Sequence, residues 1–454
     1  MQAAVLAGAI DITGPHAAGE AESETTSVVG GFATPVVAYN MTDTANVTFP
    51  SVTDRKVCPG ARGVGYAFPF YGNSWEKVPL PVPSGFATLW GDPALAVHQS
   101  TGTLFLSSVA SPMATFNQAK SADGCVHGDM EMALTGACVA RGTVTTRRVF
   151  GTQFKSLAMT ADPARDCFGS EFYDGGTLAT NSNFVYAAYL GADTSTIVVH
   201  RATPTGPFSQ LPNPFPGKIM DGHPILLTYG GAYLLAADTS SNLWLTRFDE
   251  GPSTWTTPTL VSAAVNPELP VQPRGSRTFR QVSMSADMGM IGLITPEIRV
   301  IFSMPTFVGG VQLRGVDCRI DLMTCAPIPA WITSPTDHAL LPSVKFAKLP
   351  PQGPVGVPDG RWVVSYWTDQ GLADGSVHLA RSMMDDGFST TIVTPPQFPC
   401  PDNRGYWGDY DTTYVESDGT ASPVFVRPFS DSSSGACSFG LFEASPVHVS
   451  LVRF

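Results

Sequence analysis

Charge is scarce in this chain. Asp, Glu, Lys and Arg make up 14% of its 454 residues, and with 26 basic against 38 acidic side chains the net charge is −12. A nucleic-acid backbone or an anionic membrane surface meets repulsion from that excess, so no nucleic-acid partner is expected. Long apolar runs are also missing: residues 3–10 are apolar but too short to cross a bilayer, and no membrane span is read elsewhere. No CxxC pair occurs, and His127 beside Cys125 is the nearest approach to a zinc spacing, so no metal ligands are assigned. Long amphipathic helical patterns are lacking too, which turns the reading toward strands.

What is abundant supports that reading. Hydrophobic residues reach 43%, and 44 Gly with 39 Pro give the profile of an all-β, turn-rich protein with a large core. The eight cysteines include three close pairs, Cys125 with Cys138, Cys318 with Cys325 and Cys400 with Cys437, leaving Cys58 and Cys167. Disulfides are expected from an even set without metal spacing, although on the order of a hundred connectivities are open. Paired cysteines imply an oxidising compartment, hence a secreted or periplasmic protein. Residues 1–27 read as a disordered leader or signal remnant, and Asn40-Met41-Thr42 and Asn46-Val47-Thr48 are glycosylation sequons if the source is eukaryotic.

A unit recurs about every 60 residues, most clearly in Gly408-Asp409-Tyr410 and the strands after it. A polar or Gly/Pro-containing lead-in precedes a short strand, a turn and a second apolar strand. The lead-ins are Gly91-Asp92-Pro93, Tyr173-Asp174-Gly175, Asp221-Gly222-His223-Pro224, Phe279-Arg280-Gln281, Leu341-Pro342-Ser343 and Gly408-Asp409-Tyr410. Four short strands per unit, six times, predict an all-β, six-bladed β-propeller over residues 28–454, with blades starting near 92, 174, 221, 280, 342 and 409. In the first unit, strands three and four are expected at residues 129–134 and 138–144. Residues 35–52 are the candidate strand that one terminus lends to the blade of the other, and a monomer is expected.

The third strands of three units end in Arg201, Arg247 and Arg381, and turns with Gly follow. Two of these, Asp249-Glu250-Gly251-Pro252-Ser253-Thr254-Trp255 and Asp385-Asp386-Gly387-Phe388-Ser389-Thr390, resemble Asp-boxes, the Ser-x-Asp-x-Gly-x-Thr-Trp hairpins of the sialidase-like (BNR-repeat) propellers. The first carries an extra residue before Thr-Trp and the second lacks Trp. The resemblance covers residues 90–454. It implies a sialidase-like fold, with Asp249 and Asp385 as turn residues on the rim opposite the ligand face. True sialidases would add an Arg-Ile-Pro motif, which is missing here, and three Arg, where the lead-ins supply Arg280 and Arg404.

In a propeller the lead-ins converge at one end of the axis. Convergence would gather Asp174, Asp221, Asp409 and Tyr410 as candidate catalytic groups. Asp92, Tyr173, His223, Arg280, Arg404 and Trp407 would then bind substrate, with His98 nearby. Carboxylates, a phenol, guanidinium groups and aromatic faces are what glycoside recognition and hydrolysis use. Each also has a structural use: Asp caps turns, Arg solvates surfaces, and His before Pro sits in turns. A carbohydrate or small-molecule ligand at the axial face is expected, with no cofactor unless His98 and His223 share a divalent cation. Three readings stand together: a glycoside hydrolase, a non-catalytic glycan- or protein-binding propeller, and a metal-assisted hydrolase or lyase.

Overall fold

The computed structural model describes residues 10–11, 22–41, 43, 45–51, 54–72, 74–127, 136–169, 171–191, 193–263, 284–291, 295–328, 332–348, 360–372, 377–383, 389–392, 398–399, 412–415, 421–427, 429–430 and 448–451. The alternating and β-branched runs fold as antiparallel sheets that pack face to face around a ring, an all-β propeller. All six units are present as blades. Blade one is Phe86–His98, Thr103–Pro112, Ala137–Thr143 and Cys167–Phe168; blade two is Tyr173–Thr180, Val185–Gly191, Thr196–Ala202 and Ser209–Gln210. Blades three, four and five begin with Ile225–Thr228, Met284–Ile291 and Ala339–Lys348. Blade six joins Thr412–Val415, Ala421–Arg427 and His448–Leu451 to Ile10–Asp11.

A further four-stranded sheet stands between blades six and one. It runs Glu22–Gly30, Thr34–Met41, Val64–Tyr71 and Ser74–Pro79, and its first strand touches the first strands of both neighbours. The ring thus holds the six expected blades and this leading sheet. Closure also differs from expectation. The strand lent across the termini is Ile10–Asp11, opposite Ser450 and Leu451, and residues 35–41 instead lie inside the leading sheet. Two strands therefore begin before residue 28.

Core side chains fill the spaces between adjacent sheets. Tyr66, Phe68, Leu104 and Leu106 join the leading sheet to blade one, and Phe105, Val109, Tyr173 and Tyr189 join blade one to blade two. Each blade buries a face on both sides, which is why strands such as Val185–Gly191 are buried along their whole length.

Strand register also decides the disulfides. Val126 pairs with Val57, which brings Cys125 to Cys58, and Cys138 lies directly across from Cys167. The expected Cys125–Cys138 and Cys58–Cys167 pairs are corrected accordingly, whereas Cys318–Cys325 forms across one hairpin as its spacing suggests. Cys400 and Cys437 lie outside the described residues. Blade one's third strand is Ala137–Thr143, and its fourth, expected at 138–144, is Cys167–Phe168, delivered by a long excursion and held by its disulfide.

Candidate functional site

In antiparallel blades the start of strand one, the loop between strands two and three, and the end of strand four share one end of the ring. Hairpins one-to-two and three-to-four share the other. The lead-ins occupy the first end. There the innermost strands do not run straight: bulges fall between Gly91 and Ala94, between Asp174 and Thr177, and between Leu340 and Ser343. The residues at those bulges are left-handed, Asp92 at φ 53°, Gly175 at φ 58° and Leu341 at φ 50°. Non-glycine residues rarely adopt this conformation, and its recurrence at one place in three blades marks a stored backbone constraint.

The bulges of blades one and two bring Asp92 and Asp174 together, and the lead-in of blade three adds His223. The Gly175 backbone N–H donates to Asp92 Oδ2 at 3.2 Å, and His223 Nε2 lies 3.6 Å from Asp174 Oδ1. The Asp92 carboxyl, held on the Gly175 N–H, thereby stands beside the Asp174 carboxyl and helps to lower its pKa. Glycine at 175 is required twice over, by its φ and by a His223 ring so close that a Cβ would stand 1.9 Å from Cδ2. The leading sheet adds Asn40, whose Oδ1 accepts the Asp92 backbone N–H at 2.9 Å and lies 2.7 Å from where a Cβ on Gly91 would sit.

Electrostatics separate the members. Burial pushes the Asp174 carboxyl up, but the nearby His223 ring, together with Asp92 and the Gly175 N–H, outweighs it and leaves the pKa lowered. The lowered pKa favours the ionised form of Asp174.

The other expected site residues divide. Asp221 is exposed two positions before His223, and its backbone N–H donates to Ala237. Tyr173 is not a ligand-facing phenol but a buried wall: it stacks on Tyr189 at 5.1 Å, its hydroxyl is 3.3 Å from His200 Nε2, and burial followed by Glu171 raises its pKa. His200 in turn is buried against Phe168, 4.0 Å between centroids, and burial pulls its pKa down to about 4. Arg280, Arg404, Trp407, Asp409 and Tyr410 lie outside the described residues.

His98 belongs to the far end of its strand. Its Nδ1 is 3.0 Å from Thr101 Oγ1 and its Nε2 3.2 Å from Ser182 O, so it ties two hairpin turns together and does not meet His223. Among the described residues no group of three or more His, Cys, Asp or Glu is placed to hold a metal ion. At the same hairpin end, Glu250 Oε1 accepts from Asn181 Nδ2 at 2.6 Å and Tyr186 OH at 2.7 Å, beside a cavity of about 270 Å³ that Tyr229 and Thr228 also line. Asp249 pairs with Arg247 at 3.1 Å, and Trp255 packs on Phe248 and donates to Pro212 O, a structural hairpin at the end opposite the lead-ins. Asp385 lies outside the described residues.

Sequence reasoning missed Asn40 and the pairing of His338 with Asp369. Asn40 was hidden inside a sequon, where its side chain instead anchors the Asp92 backbone. In blade five, His338 Nδ1 and backbone N–H both reach Asp369 at 2.6 Å, and that hydrogen bond raises the His338 pKa. A polar pair on either side of a strand hairpin was the available signal.

No protein-family model matches the chain, and no curated protein does. Among solved structures it is similar to a Trypanosoma rangeli sialidase, at 9% identity and TM-score 0.46, over 95% of this chain and 54% of that one. It thus spans about half the length of that sialidase. A leech intramolecular trans-sialidase matches 98% of this chain and 69% of its own at 11% identity and TM-score 0.44. The intramolecular trans-sialidase of Ruminococcus gnavus matches 100% and 98% at 10% identity and TM-score 0.44.

Proposed function

We propose that the lead-in end is a glycan site and that Asp92, Asp174 and His223 perform its acid–base chemistry. The observation that carries this reading is the meeting of two carboxyl groups and an imidazole from three blades, around a glycine that admits no side chain. A turn cap needs one carboxylate and a local N–H. It does not need a second carboxyl from another blade or a strained backbone to present it. A pair of carboxyl groups, one of them held ionised by its surroundings, is the usual basis of acid–base assignment. In this reading the Asp92–Asp174 pair carries one proton, which goes to the leaving glycosidic oxygen. Asp221, exposed at the same end, is the second carboxylate, and net hydrolysis adds water across the bond. With Asp92 held on the backbone of the residue after Asp174, these two are not assigned as the flanking groups of an inverting hydrolase, which stand about 6.5–9.5 Å apart to admit water. Disulfides fit an extracellular setting, and no helix among the described residues is long and apolar enough to cross a membrane.

One observation favours a binding role without turnover: Asp92 already spends an oxygen on the Gly175 N–H, as an inter-blade strap would. Asp174→Asn decides between the two. Hydrolysis predicts a loss of roughly 10²–10⁴-fold in turnover across a glycoside panel with an unchanged melting temperature. Binding of glycans without turnover by the unsubstituted protein establishes the second reading, and loss of folding in Asp174→Asn assigns the carboxylate to structure.

A further inference from the structure

Blade one sends out a separate two-stranded hairpin, Thr145–Val149 and Thr152–Ser156, between its third and fourth strands. Topology places it at the hairpin end of the ring, away from Asp92 and Asp174. Its tip is a two-residue turn of Phe150 at φ 49° and Gly151 at φ 83°. The first position of such a turn favours Asn, Asp or Gly, so a phenylalanine there is a conformational burden. Phe150 gains no burial in return, being 105% exposed. Beneath it, Phe154 packs against Phe70 and Tyr71 at 5.4 and 5.3 Å, and those two rings are themselves exposed.

Charge at this hairpin runs against the molecule. A chain of net charge −12 places Arg147, Arg148 and Lys155 within these twelve residues, and no Asp or Glu occurs from 132 to 161. Arg147 and Arg148 are exposed. The repulsion that the whole-chain charge implies does not govern this patch, because at physiological salt a charge is screened beyond about 8 Å.

We propose that this hairpin docks the protein on an anionic lipid bilayer, with Phe150 entering the headgroup–acyl boundary and Arg147 and Arg148 on lipid phosphates or carboxylates. An aromatic tip flanked by cations is the chemistry of an interfacial anchor. A soluble polyanion would use the arginines but gain nothing from a projecting phenyl ring, which favours the bilayer. Docked this way, the ring turns its lead-in end toward solvent, so the glycan site faces outward from the surface.

The test is co-sedimentation of the full chain with phosphatidylcholine vesicles, with and without a minority of phosphatidylserine, at low and high salt. Binding is expected only with phosphatidylserine and is expected to weaken at high salt. Arg147→Ser with Arg148→Ser should cost about five-fold per charge removed. Phe150→Gly should weaken binding while holding or raising the melting temperature, because glycine relieves the turn; a structural role would lower it. No sedimentation with phosphatidylserine, or sedimentation indifferent to Phe150→Gly, overturns the proposal. So does binding to soluble heparin that depends on the arginines in a protein that ignores vesicles, which would make the hairpin a polyanion site.

Discussion

The two ends of blades one to three use similar residues for different purposes. At the hairpin end, His98 and Glu250 fasten one turn to the next blade's turn, with partners at 2.6 to 3.2 Å. At the lead-in end, Asp174 lies at a bulge and His223 on the lead-in of the next blade, and the groups they meet are other titratable side chains. Hydrogen bonds to backbone and amide groups consume a side chain's chemistry, while mutual contacts among carboxyl groups and imidazole tune it. Residue type alone therefore does not identify a site in this ring; the neighbouring backbone geometry does.

The sharpest way to break this contrast compares two glycines that share a left-handed backbone. Gly175→Ala drives a Cβ into His223 at φ 58° and should lose about 3 kcal/mol or more in denaturant unfolding, together with ligand binding. Near-normal stability in that variant would mean the lead-in end is not packed as described. A pH titration of stability comes next. His200 is held neutral at a pKa of about 4, below its unfolded value near 6.5, so its contribution is complete above about pH 6.5 and is lost as pH falls toward 4. The expected loss is about 3 kcal/mol, and His200→Phe should flatten that part of the curve. His338 has the opposite sign: its raised pKa gives stability present below its unfolded value and lost as pH rises through the folded one.

At the hairpin end the effects should be smaller and silent in function. His98→Ala, which unties two turns, should cost about 1–3 kcal/mol and leave glycan binding unchanged. Gly102 has φ 67° with open space around it, so Gly102→Ala should cost only the left-handed penalty, about 1 kcal/mol. A loss of ligand binding in either variant would erase the distinction between the ends.

Much of the fold was legible because propeller units announce themselves twice, by turn residues and by short apolar strands. The six lead-ins at Asp92, Asp174, His223, Arg280, Pro342 and Asp409 located every blade that carries them. The leading sheet was not found since its first strand, Glu22–Gly30, has no such lead-in, and a Ser/Thr-rich acidic run resembles a flexible leader until its pairing with Thr34–Met41 is seen. Within the site, the types of Asp92, Asp174 and His223 could be read, but not that Asp92 reaches across blades to Gly175 or that Tyr173 turns inward to His200. Those outcomes depend on one-residue bulges, each of which exchanges the faces of a strand, and a bulge leaves little trace in a hydrophobic pattern.

The pairing of Ile10–Asp11 with Ser450 and Leu451 sets an order on the making of the molecule. A strand placed near the beginning of the chain must wait for the last stretch of blade six to leave the ribosome. Until then, the other sheets can pair locally while the circle stays open, with the first and last strands exposing unmatched backbone to other chains. The entropy of joining such distant segments rises only slowly with their separation, so the clasp is affordable; it is late rather than weak. A cell making this protein must therefore shelter an unclosed ring through most of its synthesis.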